Sequence, residues 1–464
     1  MINSKSHSKI ILPILSLWVL FMSSGYAQQT ASRAFSLQEA IDFALENNTN
    51  LKNSKEAVYA SEAKVGEIIG MGLPQLNATG AIIDNYIIPT SFLPAQIFDP
   101  NAAPGEYIGV KFGTKYTGNA AISLQQMLFN GSYIVGLKAS KTYTELARKD
   151  LVKTQTDVVE AIKKAYYAVL VNSERAELVD KNYQRLDSLL KQTKLLYENG
   201  FAEKIDLNRV LVQYNNISNL KNNSAIGLEV SYNLLKFQMG LPITETISLT
   251  DQLETLKFQV LEDDFKKDFQ YSNRIEYNLL QINKSLVELD IKNTRSQYLP
   301  NLNLFGTYGA SYGTSTFSNM LQFGDKWRSL GTVGINASLP IFDGLQKSKI
   351  VQQKKTKLNQ IENSLDLVKN QIDLQQDQAS KTFQTYVNTL QAQRENMQLS
   401  KEVYDVTVIK YQQGVGSNLE VIDADASYKE AQTNYYAALY DALIASVELE
   451  KAYGKLLPLS NQAK

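Results

Sequence analysis

One glycine-centred segment occurs twice in this chain, and this repeat constrains the fold more than any other feature. Tyr411–Ala424 interrupts a long run of helix-patterned sequence, with no strand pattern on either side. A matching segment lies 214 residues upstream, with the correspondences Tyr197 to Tyr411, Gly200 to Gly414 and Asp206 to Glu420. The chain therefore holds two copies of one turn between helices.

The similarity extends beyond the turns, because further landmarks recur in the same order. They are Leu73-Pro74 with Leu299-Pro300, Phe129-Asn130-Gly131 with Phe342-Asp343-Gly344, and Gly240 with Gly454. Ordered self-similarity of this kind indicates an internal duplication. We predict a first repeat over residues 28–250 and a second over residues 251–464.

The turn itself has the chemistry of a helical hairpin tip. Gly414 and Gly416 can take the positive φ angles that end a helix. Ser417 or Asn418 can cap the returning helix, and Glu420 is an acidic residue in its first turn. We therefore predict helical hairpins with tips near residues 200 and 414.

Each repeat also contains a predicted strand hairpin, at about residues 76–127 and 302–341. Apolar residues alternate there with polar or small ones, so each strand has one apolar and one polar face. The predicted strands are 76–88, 117–127, 302–312 and 332–341, with a loop containing proline and glycine over 89–116. Such strands suit a membrane β-barrel, although a half-buried soluble sheet has the same alternation.

Four strands are too few to close a barrel, since single-chain barrels start at eight strands. The strands therefore form an open sheet, or several chains pool them. Helical sequence follows each hairpin over 131–199 and 344–413, long enough for helices of about 100 Å. Leu358, Ile361, Leu365, Val368 and Ile372 form a heptad seam there. The returning helix of the second repeat has small residues at Ala424, Ala431, Ala438, Ala442 and Ala445.

The N-terminus has the pattern of a secretory signal peptide. Lys5 and Lys9 precede an apolar run over 10–22, and Gly25 and Ala27 place cleavage after residue 27. An anchoring helix is the alternative, but the run is short for a membrane span. We predict export, with residues 1–27 removed.

Composition narrows the possible functions. The chain has 47 basic and 47 acidic residues, which indicates no nucleic-acid partner. It has no cysteine, so lipidation on cysteine is not expected, and its one histidine is His7 in the leader. The side chains most used for transition-metal binding are therefore missing from the mature chain. We expect no catalytic residues, no metal site and no cofactor, and we do not expect an enzyme.

Duplicated halves with a strand hairpin and a long helical hairpin resemble the TolC-like outer-membrane efflux protein family. The resemblance covers essentially all of residues 35–457. Its markers are the Leu37–Asn48 segment with Glu39, Ala40 and Ile41, the two Leu-Pro-x-Leu-Asn strand entries, and Ser338–Gly344.

The family implies an α+β membrane protein that assembles as a homotrimer. Three chains would pool their strands into a 12-stranded barrel in the outer membrane, and their coiled-coil helices would form an α-helical barrel in the periplasm. The function implied is the exit duct of a tripartite efflux or type I secretion system. The partners implied are outer-membrane lipid, a periplasmic adaptor and, through it, an inner-membrane pump or ABC ATPase.

The resemblance also implies roles for residues at the tips. Positions that form the periplasmic gate in family members correspond in this chain to Asp206, Tyr411, Glu420 and Asp423. Where those members carry an arginine that pairs with the aspartate, this chain has Gly416, so we expect other contacts to hold the closed state or the closure to be weaker. The implied adaptor contacts are Gly200, Phe201, Gly414, Val415 and Gly416.

Two other classes of protein compete with the duct. A periplasmic or surface coiled-coil protein without a pore explains the helices but not the duplicated strands. A nucleotide-binding enzyme is suggested only by Gly414 and Gly416, which lack a third glycine and a preceding strand.

Overall fold

The computed structural model describes residues 33–253, 266–267, 269–322, 324 and 326–457. The predicted leader lies outside the described residues. The chain divides into two compact units. The first unit holds the described residues up to 44 and between 165 and 257, and the second holds those between 45 and 164 and from 258 onward. These units group segments by contact, whereas the predicted repeats group them by sequence similarity.

The described residues contain both very long and very short elements. The helices are α1 (Leu37–Asn47), α2 (Thr49–Met71), α3 (Gly131–Glu198), α4 (Lys204–Met239), α5 (Ile275–Ser296), α6 (Phe317–Met320), α7 (Gln346–Gln412) and α8 (Asn418–Ala452). The strands are β1 (Arg33–Phe35), β2 (Gln75–Asp84), β3 (Thr90–Pro94), β4 (Tyr107–Lys111), β5 (Tyr116–Phe129), β6 (Ile247–Leu249), β7 (Asn301–Thr314) and β8 (Arg328–Ser338). No helix in the described part of the chain is long and apolar enough to cross a membrane.

The first unit anchors the start of the chain. β1 pairs in parallel with β6, and a capping box begins α1, because the Ser36 amide donates to the Glu39 carboxylate at 2.8 Å. Asp251 caps the same helix from a distant segment by accepting the Leu37 amide proton at 2.8 Å. The fully buried Tyr166 hydroxyl lies 2.9 Å from that carboxylate. The N-terminal segment is therefore held by polar contacts as well as by packing.

The second unit contains the four predicted strands in one antiparallel sheet of order β2-β5-β7-β8. The strand bounds differ from the prediction, since β2 ends at Asp84 rather than at residue 88, and β8 spans residues 328–338 rather than 332–341. The predicted loop 89–116 is also more ordered than expected, because β3 and β4 form a hairpin inside it.

In two adjacent rows the sheet register aligns residues of like polarity across all four strands. One cross-strand row consists of Leu76, Leu124, Gly306 and Val333, and the row beside it consists of Asn77, Ser123, Thr307 and Thr332. Directly opposite residues share a face, and successive residues alternate between faces. One face of the sheet is therefore mainly apolar and the other mainly polar, as predicted from each strand separately, with Phe305 and Leu330 as apolar residues on the polar face.

The long helices of the second unit pack along α7. Both α5 and α8 contact α7, and the predicted heptad seam points inward, with Leu365 and Ile372 buried. The predicted small residues of α8 (Ala424, Ala431, Ala438, Ala442 and Ala445) are all buried as well. Small side chains let α8 lie close to its neighbour, and cross-helix ion pairs such as Lys284 with Glu362 (2.9 Å) link α5 to α7.

Candidate functional site

The first candidate site is the tip between α3 and α4. Gly200 has a φ of +79°, and its amide donates to the Tyr197 carbonyl at 3.0 Å. The next amide, that of Phe201, donates back to the Leu196 carbonyl at 2.8 Å. This pair of bonds around a left-handed glycine is a Schellman motif, which satisfies the last carbonyls of α3. The Phe201 side chain is 81% exposed at the turn.

The second tip, between α7 and α8, repeats this geometry 214 residues later. Gly414 has a φ of +74°, and its amide donates to the Tyr411 carbonyl at 3.0 Å. The Val415 amide donates to the Lys410 carbonyl at 3.1 Å, and its side chain is 78% exposed. The two turns, which align in sequence, therefore also make the same two backbone hydrogen bonds. Each tip carries one exposed apolar residue directly after its glycine.

Gly416 differs from the prediction that it takes a positive φ. Among the described glycines with positive φ, the second tip contributes Gly414 and not Gly416. A Cβ on Gly416 would lie 3.1 Å from the Tyr411 backbone nitrogen and 3.2 Å from Lys410 Cβ. Glycine is therefore favoured there by the close approach of the returning chain to α7 rather than by its φ angle.

The two predicted acidic gate residues of the second unit lie on the exposed face of α8. Ser417 caps this helix, because its hydroxyl accepts the Glu420 amide proton at 3.2 Å. The Glu420 and Asp423 side chains are exposed. Val421, which follows Glu420, and Ala424, which follows Asp423, are buried. Both carboxylates thus point away from the packed side of their own helix. They are available to line a passage or to contact another molecule.

The remaining gate residues lie in different units. Asp206 is half-buried in the first turn of α4 in the first unit, and Tyr411 is half-buried at the end of α7 in the second. A hydrogen bond between their two hairpins stays a prediction. Within its own helix Asp206 lies 3.7 Å from the Arg209 guanidinium, a contact that the sequence analysis missed. Their spacing of three residues on a helix was the pattern that could have found it.

The described residues contain no group of three or more acidic or imidazole side chains arranged to hold a metal ion. The structure therefore offers hairpin tips, an exposed acidic helix face and a two-faced sheet. This set of features defines a class of protein that combines a two-faced antiparallel sheet with long helical hairpins.

Comparison with known proteins identifies that class. Residues 282–455 match the family described as outer membrane efflux protein, a span that runs from α5 to the end of α8. The outer membrane protein TolC of Vibrio cholerae serotype O1 is 21% identical over 342 residues, covering 73% of this chain and 77% of the relative. TolC of Salmonella enteritidis is 22% identical over 456 residues, covering 97% and 87%.

The fold agrees with solved channels over nearly the whole chain. The Campylobacter jejuni CmeC outer membrane channel superposes with a TM-score of 0.72 at 16% identity, covering 99% of this chain and 95% of that one. The resemblance inferred from the sequence is thus confirmed. The chain has the fold of the TolC-like outer membrane channels, and its residues 282–455 are similar in sequence to the outer membrane efflux protein family.

Proposed function

We propose that this chain is the outer-membrane exit duct of a tripartite efflux or type I secretion system. The observation that carries the proposal is the four-stranded sheet with one apolar and one polar face. Such a sheet suits lipid on one side and water on the other. The alternative is a half-buried sheet in a soluble protein, which needs an apolar layer of protein to cover the apolar rows. In this chain, however, Leu76 is 69% and Val333 is 80% exposed.

Closure of the sheet requires further copies of the chain. Within the described residues β2 and β8 are the edges, and unpaired strand edges are prohibitively costly in lipid. The strands alternate in direction, so β8 of one copy lies antiparallel to β2 of the next. Three copies then give twelve strands with the apolar rows on one continuous surface. The proposed assembly is a homotrimer in the outer membrane, with the helices in the periplasm.

The partners are proposed at the hairpin tips. Phe201 and Val415 present apolar side chains on rigid turns, which suits docking to a periplasmic adaptor. The adaptor links the duct to an inner-membrane pump or ABC ATPase. The gate residues Asp206, Tyr411, Glu420 and Asp423 are proposed to line or hold the closed periplasmic end.

The experiment is purification from outer membranes followed by sizing and planar-bilayer recording. We expect a detergent-solubilised trimer that inserts from one side and conducts ions. The competing hypothesis, a coiled-coil protein without a pore, predicts extraction without detergent and no conductance. A stable folded monomer in the membrane would contradict the proposed assembly.

A further inference from the structure

The segment between β2 and β5 is a folded extension to which the proposed function assigns no role. We call Asn85–Lys115 the outer hairpin. Its base is closed by Asn85, whose amide donates to the Lys115 carbonyl at 2.6 Å and whose side chain donates to the Thr114 carbonyl at 2.9 Å. Its distal part is the antiparallel pair β3–β4, followed by a turn in which the Ala95 amide donates to the Glu106 carbonyl at 2.8 Å.

The outer hairpin is ordered, yet its surface is apolar. The Phe92 ring lies across Gly109, since a Cβ on that glycine would approach it to 3.5 Å, but Phe92 is still 72% exposed. Other large apolar side chains exposed on the same segment are Tyr86, Ile87, Ile97, Phe98, Tyr107 and Phe112. A cluster of exposed aromatic groups on an ordered segment marks a contact surface.

The position of the outer hairpin indicates what covers it. It leaves β2, which is one edge of the sheet, and the opposite edge, β8, begins directly after residues 315–327. In edge-to-edge assembly the end of β2 in one copy lies beside the start of β8 in the next. The outer hairpin of one copy and residues 315–322 of its neighbour, which follow β7, therefore emerge side by side at the same rim.

Residues 315–322 have the features of a docking surface for this hairpin. They are fixed to their own sheet, because Met320 is fully buried against Gly118 and the Phe317 ring packs edge-on against Tyr116 with centroids 5.5 Å apart. Nevertheless Phe317 is 50% and Leu321 is 57% exposed. An exposed apolar surface thus lies next to the edge strand β8, which would pair with the neighbouring copy.

We propose that the outer hairpin of each copy packs on residues 315–322 of the next copy, forming a clasp across each seam of the assembly. The proposal rests on the proposed function, which supplies the edge-to-edge joining of β2 to β8. The clasp would bury Phe92 and Tyr107, which share one face of the hairpin, against Phe317 and Leu321 of the neighbour. It would add apolar contact outside the lipid, where strand pairing ends.

The test exploits the absence of native cysteine. Two differently tagged chains, one carrying Phe92→Cys and the other Phe317→Cys, are co-expressed and treated in outer membranes with a flexible bismaleimide. We expect a joined product that carries both tags, and none when either variant is expressed alone. Tyr107→Cys in place of Phe92→Cys repeats the test from the second strand of the hairpin.

A reference pair separates the clasp from the assembly. Chains carrying Asp84→Cys and Arg328→Cys place thiols at the ends of β2 and β8, so they join whenever copies meet edge to edge. Joining of the reference pair without joining of Phe92→Cys to Phe317→Cys would overturn the clasp alone. Failure of both pairs would remove the edge-to-edge assembly and the clasp with it.

Labelling with a membrane-impermeant maleimide identifies what else covers the hairpin. We expect the Phe92→Cys thiol to be protected in the trimer and labelled after dissociation. Labelling in the trimer would show a free surface, and protection without joining would show cover by lipid or by another molecule. Either of these outcomes overturns the clasp.

Discussion

At the residue scale, the most consequential polar contact joins three segments that are far apart in sequence. The Asp251 carboxylate accepts from the Leu37 amide and from the Tyr166 hydroxyl, which also lies 3.0 Å from the Phe35 carbonyl. Burial of the tyrosine, and its hydrogen bond to a carboxylate, raise the pKa of Tyr166 above its ordinary value of 10.0. Both effects favour the neutral hydroxyl in the folded protein.

This shift makes stability sensitive to alkaline pH. Above about pH 10 the unfolded tyrosine ionises while the buried Tyr166 keeps its proton. The folded state then binds more protons than the unfolded state, so its stability falls as pH rises. We expect Tyr166→Phe to lower stability by about 1 kcal/mol at neutral pH and to flatten the alkaline decline. Denaturant unfolding across this pH range measures both effects.

The control is Tyr59→Phe, since Tyr59 is 63% exposed and lies outside the outer hairpin. It should change neither the neutral stability nor the alkaline slope. An unchanged slope in Tyr166→Phe would assign the alkaline sensitivity to other tyrosines.

At the scale of elements, the two helical hairpins share one closing motif but differ at the start of the returning helix. The Ser417 side chain caps α8, whereas Glu203 precedes α4 without a side-chain capping hydrogen bond. Both turns depend on a glycine in the left-handed region, and a Cβ on Gly200 or Gly414 would meet no atom within 4 Å. A substitution there acts through backbone strain and not through a clash.

We therefore expect Gly200→Val and Gly414→Val to distort the tips without preventing assembly of the rest. A β-branched residue at positive φ costs on the order of 1–3 kcal/mol. Trimers should still form in the membrane, while capture of the adaptor and export should fall. Co-purification of the adaptor and an export assay measure the loss.

Gly227→Val is the matched control, because Gly227 lies inside α4, has an ordinary helical φ and also has open space around it. It should leave adaptor capture unchanged. Normal capture and export by both tip variants would remove the tips from the adaptor interface.

At the scale of the whole molecule, the acidic face of α8 gains its effect only through assembly. Glu420 and Asp423 lie one turn apart on an exposed face. In the proposed trimer each would occur three times around one axis, so their negative charges would combine and attract cations. A single chain has no such concentration of charge.

We expect the double variant Glu420→Gln, Asp423→Asn to lose cation selectivity and block by multivalent cations added at the periplasmic side. Planar-bilayer recordings measure both properties. The double variant Glu402→Gln, Asp405→Asn removes two exposed carboxylates of α7 away from the tip and is the charge-matched control for a surface effect. Unchanged selectivity and unchanged block in the double variant would place both carboxylates on the outer helix surface.

Local chemistry was sufficient to predict the four strands of the main sheet, the long helices and the tips. Interactions within a few residues determine the local features of the chain. These are the positive φ at Gly200 and Gly414, the Ser417 cap and the Ser36 capping box. The two strand faces and the long helices follow from periodicity, because alternation and heptad spacing record which side is buried. The duplication was visible because equivalent turns need the same residues.

Tertiary structure alone decided the contacts between distant segments. Nothing near Asp251 in sequence indicates that it caps α1, since that bond joins residues 214 positions apart. The order β2-β5-β7-β8 likewise depends on which edges meet, and short-range patterns carry no information about pairing partners. The close approach at Gly416 and the outer hairpin within a predicted loop were missed for the same reason. Each depends on where the returning chain lies in space, which local propensity does not specify.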